Sequence, residues 1–272
     1  MSDGKASGKP AMDRSEIAIH AAGRDGPPIL LLHGFGADRL SWTANVATLE
    51  AQGRVLTLDL PGHGASLAAV GDGSVHDVAD GVATALDRHG PGPMHVVGHS
   101  LGGAVALMLA QARPDLVASL ALIAPAGLGD ALDAEFLADF PELETPEAAE
   151  ALLQRLVVRP RLIGRAMVSH VLAGLDRPGA RDALRSVAAG VPAGLAAIED
   201  AATGIAAGSL PRLVVWGEED RINALDRGKL LAFGGETHIL PATGHLPHVE
   251  SAAAVNRLVA AFVGRQMERP AG

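Results

Sequence analysis

Along most of this chain, short apolar runs rich in valine, isoleucine and leucine alternate with longer alanine-rich stretches. A strand buried on both faces is apolar throughout, whereas a helix covering a sheet needs only one apolar stripe. The alternation therefore predicts a mostly parallel sheet flanked by helices. The runs place an outer strand at Ile17–Ile19, then strands at Ile29–Leu32, Val55–Leu58, Met94–Val97, Ser119–Ile123, Arg212–Trp216 and Thr237–Leu240. Helices are expected at Trp42–Glu50, Val75–Arg88 and Leu101–Ala112, with a closing amphipathic helix at Ala252–Val263. No internal repeat is visible.

From Leu128 to Leu210 the rhythm changes. Strand-like runs vanish, and short Ala- and Leu-rich helical pieces follow, broken by Pro141, Pro146, Pro160, Pro178 and Pro192. Structureless stretches of this length are rare in compact domains, and inserted helices near a site commonly act as lids. The expected organisation is an α/β core made of 1–127 and 211–272, with 128–210 inserted as a helical cap. A plain packing appendage is the alternative.

The chemistry concentrates where strands end. Gly98-His99-Ser100-Leu101-Gly102 lies between a strand run and a small-residue helical run. A G-x-S-x-G pentapeptide in that setting is a nucleophile elbow: the turn is too tight for side chains at its glycines, and it lifts the serine hydroxyl above the sheet. The helix that follows offers free N–H groups and the positive end of its dipole to a developing anion.

A serine hydroxyl is a weak nucleophile until an oriented base takes its proton, so an acid and a histidine should follow in the order Ser, acid, His. The Arg212–Trp216 strand runs into Gly217-Glu218-Glu219-Asp220, which leaves Glu218, Glu219 and Asp220 as candidate acids. The last strand runs into Pro241-Ala242-Thr243-Gly244-His245-Leu246-Pro247-His248, which makes His245 the expected base and His248 its competitor. Each loop lies beyond a strand's carboxyl end, where open α/β sheets place their sites. A His-x-x-His zinc pair at 245 and 248 is the weaker reading, because no third ligand stands at a suitable spacing.

The backbone N–H groups of Leu101 and of Phe35, in the His33-Gly34-Phe35-Gly36 turn, are the expected oxyanion donors. His33, His63 and His99 each adjoin a glycine turn, and orienting or packing roles are expected for them. With His245 as base, turnover should rise with pH across the range where an imidazole ordinarily titrates, roughly pH 6 to 7.

Composition narrows the partners. The 272 residues carry 22 Lys+Arg against 31 Asp+Glu, a formal charge of −9, which argues against nucleic acid and anionic membrane surfaces. Without cysteine there is no thiolate nucleophile and no thiolate metal site. The polar, glycine-rich stretch Met1–Pro10 reads as a frayed tail of a cytoplasmic protein rather than a signal peptide or anchor, and no apolar run reaches a membrane span. No phosphate loop or metal cluster stands out, so no cofactor is expected. With five Phe, two Trp and no Tyr, the pocket is expected to be aliphatic and suited to a small or medium acyl group. Met167, Val168, Val171 and Leu172 are candidates to line it.

Taken in order, His33-Gly34-Phe35-Gly36, Asp59-Leu60-Pro61-Gly62-His63-Gly64-Ala65-Ser66, Gly98-His99-Ser100-Leu101-Gly102-Gly103, Trp216-Gly217-Glu218-Glu219-Asp220 and Gly244-His245 resemble the α/β-hydrolase superfamily. The resemblance covers nearly all of the chain outside the first dozen residues. It implies the α/β-hydrolase fold with an inserted cap, and its W-G-x-x-D loop points to Asp220 as the acid. Within the superfamily, Leu122–Gly129 and Val255-Asn256-Arg257-Leu258 resemble the hydrolase-like domain of acetoin-dehydrogenase dihydrolipoamide acetyltransferases. Those proteins carry a lipoyl domain ahead of the hydrolase fold, and the region before Ile29 is expected to be too short and glycine-rich to form one.

A free-standing serine esterase or thioesterase acting on a small-molecule acyl substrate is therefore the leading expectation. An acyltransferase to coenzyme A or a dihydrolipoamide-like thiol is the second, and a catalytically silent binding module the third. A serine at the elbow speaks against haloalkane dehalogenases, which resemble this family but use aspartate there. Perhydrolases and C–C bond hydrolases share the same motif set.

Overall fold

The computed structural model of the protein describes residues 17–268, so the expectation for Met1–Pro10 lies outside the described residues. Seven strands form one sheet: β1 (Ile19–Gly23), β2 (Pro28–Leu32), β3 (Arg54–Leu58), β4 (Met94–His99), β5 (Val117–Ile123), β6 (Arg212–Gly217) and β7 (Glu236–Leu240). Their spatial order is β1-β3-β2-β4-β5-β6-β7, with β1 antiparallel to β3 and every other pair parallel.

Alternate residues of the strands feed two cores, as the two-residue period of a strand requires. Leu30, Leu32, Val96, Leu120, Leu122 and Val214 face α2 (Val75–His89) and α3 (Leu101–Ala112). Ile29, Leu31, Val97, Ala121, Ile123 and Val215 face α1 (Thr43–Glu50) and the final helix α11 (Ala252–Met267). The helices start and stop on local chemistry. Ser74 caps α2 by accepting from the Asp77 N–H at 3.1 Å, and Gly90 ends it with φ 54.

Between β5 and β6 lie α4 (Ala134–Asp139), α5 (Pro146–Gln154), α6 (Arg165–Leu175), α7 (Ala180–Ala193) and α8 (Leu195–Ala206). The last of these packs against α3, with Ile198, Ala201 and Ala202 buried. After β6, α9 (Arg227–Phe233) leads into β7, and the single turn α10 (Pro247–Glu250) precedes α11.

Three expectations need correction. The outer strand is Ile19–Gly23 rather than Ile17–Ile19: Ile17 is buried in the core outside the ladder, while residues 20–23 of this edge strand are exposed, so no apolar run marks it. Pro192 does not separate helical pieces but sits inside the last turn of α7. Pro146 does not break a helix but starts α5, where its missing N–H has no intrahelical partner to lose, and Thr145 caps the turn from in front.

Candidate active site

Ser100 occupies the single residue between β4 and α3 with φ 51 and ψ −114, a conformation costly for any residue with a side chain. Four backbone hydrogen bonds hold it there. Its N–H donates to Ile123 O at 3.0 Å, and its carbonyl accepts from Gly103, Ala104 and Ala126. The flanking glycines answer a spatial demand: a Cβ at Gly98 would lie 2.4 Å from Gly102 O, and one at Gly102 would lie 2.2 Å from Leu32 O. Gly102→Ala is accordingly expected to destabilise the fold by about 3 kcal/mol or more, read as a lower midpoint in urea. A midpoint equal to the wild type would show that the elbow relaxes freely.

Ser100, His245 and Asp220 arrive from three strand ends and form one hydrogen-bonded chain. Ser100 Oγ lies 2.9 Å from His245 Nε2, and His245 Nδ1 lies 2.8 Å from Asp220 Oδ2. A carboxylate accepts only, so Nδ1 carries the proton and Nε2 is left to accept from the serine hydroxyl. The other oxygen of Asp220 accepts from the Ile222 and Asn223 N–H groups, both at 2.9 Å, which fixes the carboxylate plane. All three residues are buried. Glu218 and Glu219 point to solvent, and Glu218 pairs with Arg227. His248 is packed against the rings of Trp42 and His99, with centroids 4.7 and 4.4 Å away, whereas it is His245 that is hydrogen-bonded to Ser100.

The remaining histidines brace the loops. His33 Nε2 accepts from the Leu60 N–H at 2.9 Å, and its Nδ1–H donates to Gly34 O. His63 Nδ1–H donates to Pro61 O, and His99 Nε2–H donates to the backbone oxygen of His245 at 2.8 Å. Burial pushes His63 and His248 down to about 3 and lowers His33 and His99 as well; the nearby His248 and His245 rings add to the effect on His99.

These rings stay neutral in the folded state while the unfolded chain protonates them below its ordinary value of 6.5. Stability is therefore complete above that value and is lost as pH falls towards about 3. Each such ring is expected to remove about 1.4 kcal/mol per pH unit of acidification. Urea unfolding at pH 7.5 and at pH 5 checks this, and equal midpoints would contradict it.

Ser100 opens into a cavity of about 630 Å³. Phe35 and Leu101, the expected oxyanion donors, both line this cavity beside Ser100. The walls are apolar, but the expected aliphatic lining needs revision. Phe35, Phe136 and Phe140, three of the five phenylalanines, gather at the cavity with ring centroids 5.5 and 5.9 Å apart. Met167 and Val171 line it as expected, whereas Val168 and Leu172 pack into the adjoining core. At the mouth, His170 on α6 meets Asp38 at 2.6 Å, and the Arg177 guanidinium donates to Gly64 O.

Two contributors escaped the sequence reading. Asn223 donates its side-chain amide to Ala124 O and Pro125 O, tying the Asp220 loop to the end of β5. Glu250 is buried beside the His245 loop. Nothing in a lone loop asparagine or a lone helix glutamate distinguishes these from solvated residues. Among the described residues, no group of three or more His, Cys, Asp or Glu is placed to share a metal ion, and no helix is long and apolar enough to cross a membrane.

A family profile described as "alpha/beta hydrolase fold" matches residues 27–252. The chain is 35% identical over 260 residues to a dihydrolipoyllysine-residue acetyltransferase component of the acetoin cleaving system from Pseudomonas putida, covering 93% of this chain and 70% of that protein. It is 30% identical to a 2-hydroxy-6-oxononadienedioate/2-hydroxy-6-oxononatrienedioate hydrolase from Cupriavidus pinatubonensis, with 92% of each chain covered. Among solved structures, a thermophilic esterase from Thermogutta terrifontis superposes with a TM-score of 0.73 at 26% identity, over 92% of this chain and 94% of that one.

Proposed function

The chain belongs to the α/β-hydrolase family, and from that premise we propose that it is a serine hydrolase cleaving an ester or thioester of a small to medium acyl group through an acyl-enzyme on Ser100. The observation that carries this reading is the continuous hydrogen-bonded chain from Ser100 Oγ through His245 to Asp220 at the floor of an apolar cavity. In the first step His245 Nε2 takes the Ser100 proton as Oγ attacks the substrate carbonyl. The oxyanion accepts from the Phe35 and Leu101 N–H groups, each worth about 3 kcal/mol to the barrier. The imidazolium, held by Asp220, then protonates the leaving group, and water activated by the same ring releases the acid.

The insertion 128–210 acts here as a cap. Phe136, Phe140, Met167 and Leu184 wall the acyl group, while α8 anchors the insertion on α3. Apolar walls around the serine exclude competing solvent and strengthen the electrostatics of the step.

A second reading is supported by the 35% identical acetyltransferase relative: the same acyl-enzyme passes its acyl group to a thiol instead of water. The test is turnover of p-nitrophenyl esters and acyl thioesters of graded chain length, with and without an added dithiol, by the wild type and by Ser100→Ala. Serine-dependent hydrolysis supports the first reading, and acyl-thiol product in preference to free acid supports the second. Turnover that survives in Ser100→Ala would overturn both.

A further inference from the structure

The base of the Ser100 site stands on a loop that regular structure does not secure, and its anchorage comes from inside the insertion. His245 N–H donates to Leu156 O at 2.8 Å, and a Cβ at Gly244 would lie 2.7 Å from that same oxygen, so the segment after α5 runs directly against the histidine loop. Glu250 ties the two together. Its side chain is fully buried, Oε2 accepts from Gly244 N at 2.7 Å, and Oε1 accepts from Val158 N at 3.0 Å, Arg159 N at 2.8 Å and Arg159 Nε at 3.3 Å.

We propose that Glu250 is a positioning residue for His245: its buried carboxylate, shared between the Gly244 N–H and the Val158–Arg159 backbone, makes the segment of the insertion that follows α5 part of the seat of the catalytic base. The inference rests on the serine-hydrolase reading and adds to it a division of labour within the insertion. Residues 156–159 stay fixed to the core whenever the site is competent, so any opening of the cavity belongs to the helices beyond them, where α6 meets the core through His170 and Asp38.

The reason is geometric. A carboxylate offers two acceptor oxygens, and here Oε2 takes the Gly244 N–H while Oε1 takes the Arg159 N–H, with the Val158 N–H shared between them at 3.0 Å to Oε1 and 3.3 Å to Oε2. Glu250→Gln replaces one oxygen with an amide that can only donate, so one segment loses its acceptor while a buried donor faces another donor. The loop carrying His245 is then free to shift, and misplacement on the scale of 1 Å from a remote substitution costs about a hundredfold in rate.

The experiment compares the wild type, Glu250→Gln, Glu250→Asp and Leu86→Ala, the last destabilising the core by cavity formation far from the site. Readouts are kcat and KM on the best ester, the rate of fluorophosphonate labelling, and the NMR signal of the His245 Nδ1–H proton held by Asp220. Glu250→Gln is expected to lose about a hundredfold in kcat and in labelling rate with KM within about twofold, and to broaden or shift that proton signal. Glu250→Asp, which keeps both oxygens one methylene further back, should recover part of the loss. Leu86→Ala should keep wild-type kcat and the wild-type signal.

A folded Glu250→Gln protein with kcat, labelling and proton signal like the wild type overturns the proposal, as does an equal kcat loss in Leu86→Ala. Should the wild type neither turn over nor label, the hydrolase reading fails, and the proton signal alone still decides whether Glu250 holds His245.

Discussion

Ser100→Ala is expected to lower turnover by about a millionfold, to the level left by binding and the oxyanion amides. The size of the effect follows from how the nucleophile is built. Ser100 alone bridges β4 and α3, and its hydroxyl meets the neutral nitrogen of an oriented imidazole at 2.9 Å. No other hydroxyl bonds to His245 among the described residues, so nothing replaces it. The position also stores backbone strain at φ 51. Ser100→Gly should therefore raise the unfolding free energy by about 1 kcal/mol while abolishing turnover, an opposition of stability and function that an idle serine would not show. Esterase assays paired with urea unfolding of the two variants check both arms. Turnover retained in either variant would remove Ser100 from the mechanism.

Asp220→Asn should cost about four orders of magnitude in kcat, with the fold intact. The carboxamide can keep one oxygen on the Ile222 and Asn223 N–H groups, which leaves its amide nitrogen facing His245 Nδ1. Two donors then oppose each other, and the imidazole responds by moving its proton to Nε2, where it can no longer accept from Ser100. Activity should fall without a matching change in KM, because the substrate cavity is untouched. Glu218→Gln and Glu219→Gln are expected to keep wild-type kcat, since both side chains face solvent. A large loss in either glutamate variant, with Asp220→Asn active, would reassign the acid.

The parts of this molecule legible in its sequence are those where chemistry and backbone demand coincide. The parallel strands could be read because burial on both faces leaves unbroken apolar runs such as Ile29–Leu32. The elbow could be read because Gly98 and Gly102 leave no room for a side chain. The edge strand β1 was displaced by two residues, since one exposed strand carries no apolar signature. The aromatic wall was missed because Phe136 and Phe140, four residues apart at the start of the insertion, lie about a hundred residues beyond Phe35 and reach it only when the insertion folds over the sheet. Asn223 and Glu250 were illegible for a related reason. Their importance resides in backbone groups from distant segments that they satisfy, and sequence spacing does not record such partners.

The role of Ser100 as nucleophile is tested most directly by covalent labelling with a fluorophosphonate, followed by intact mass and peptide mapping. One adduct per chain is expected, placed on Ser100, abolished in Ser100→Ala and formed far more slowly in Asp220→Asn. An unmodified Ser100 after exposure to excess reagent, or an adduct on another residue, would contradict that role.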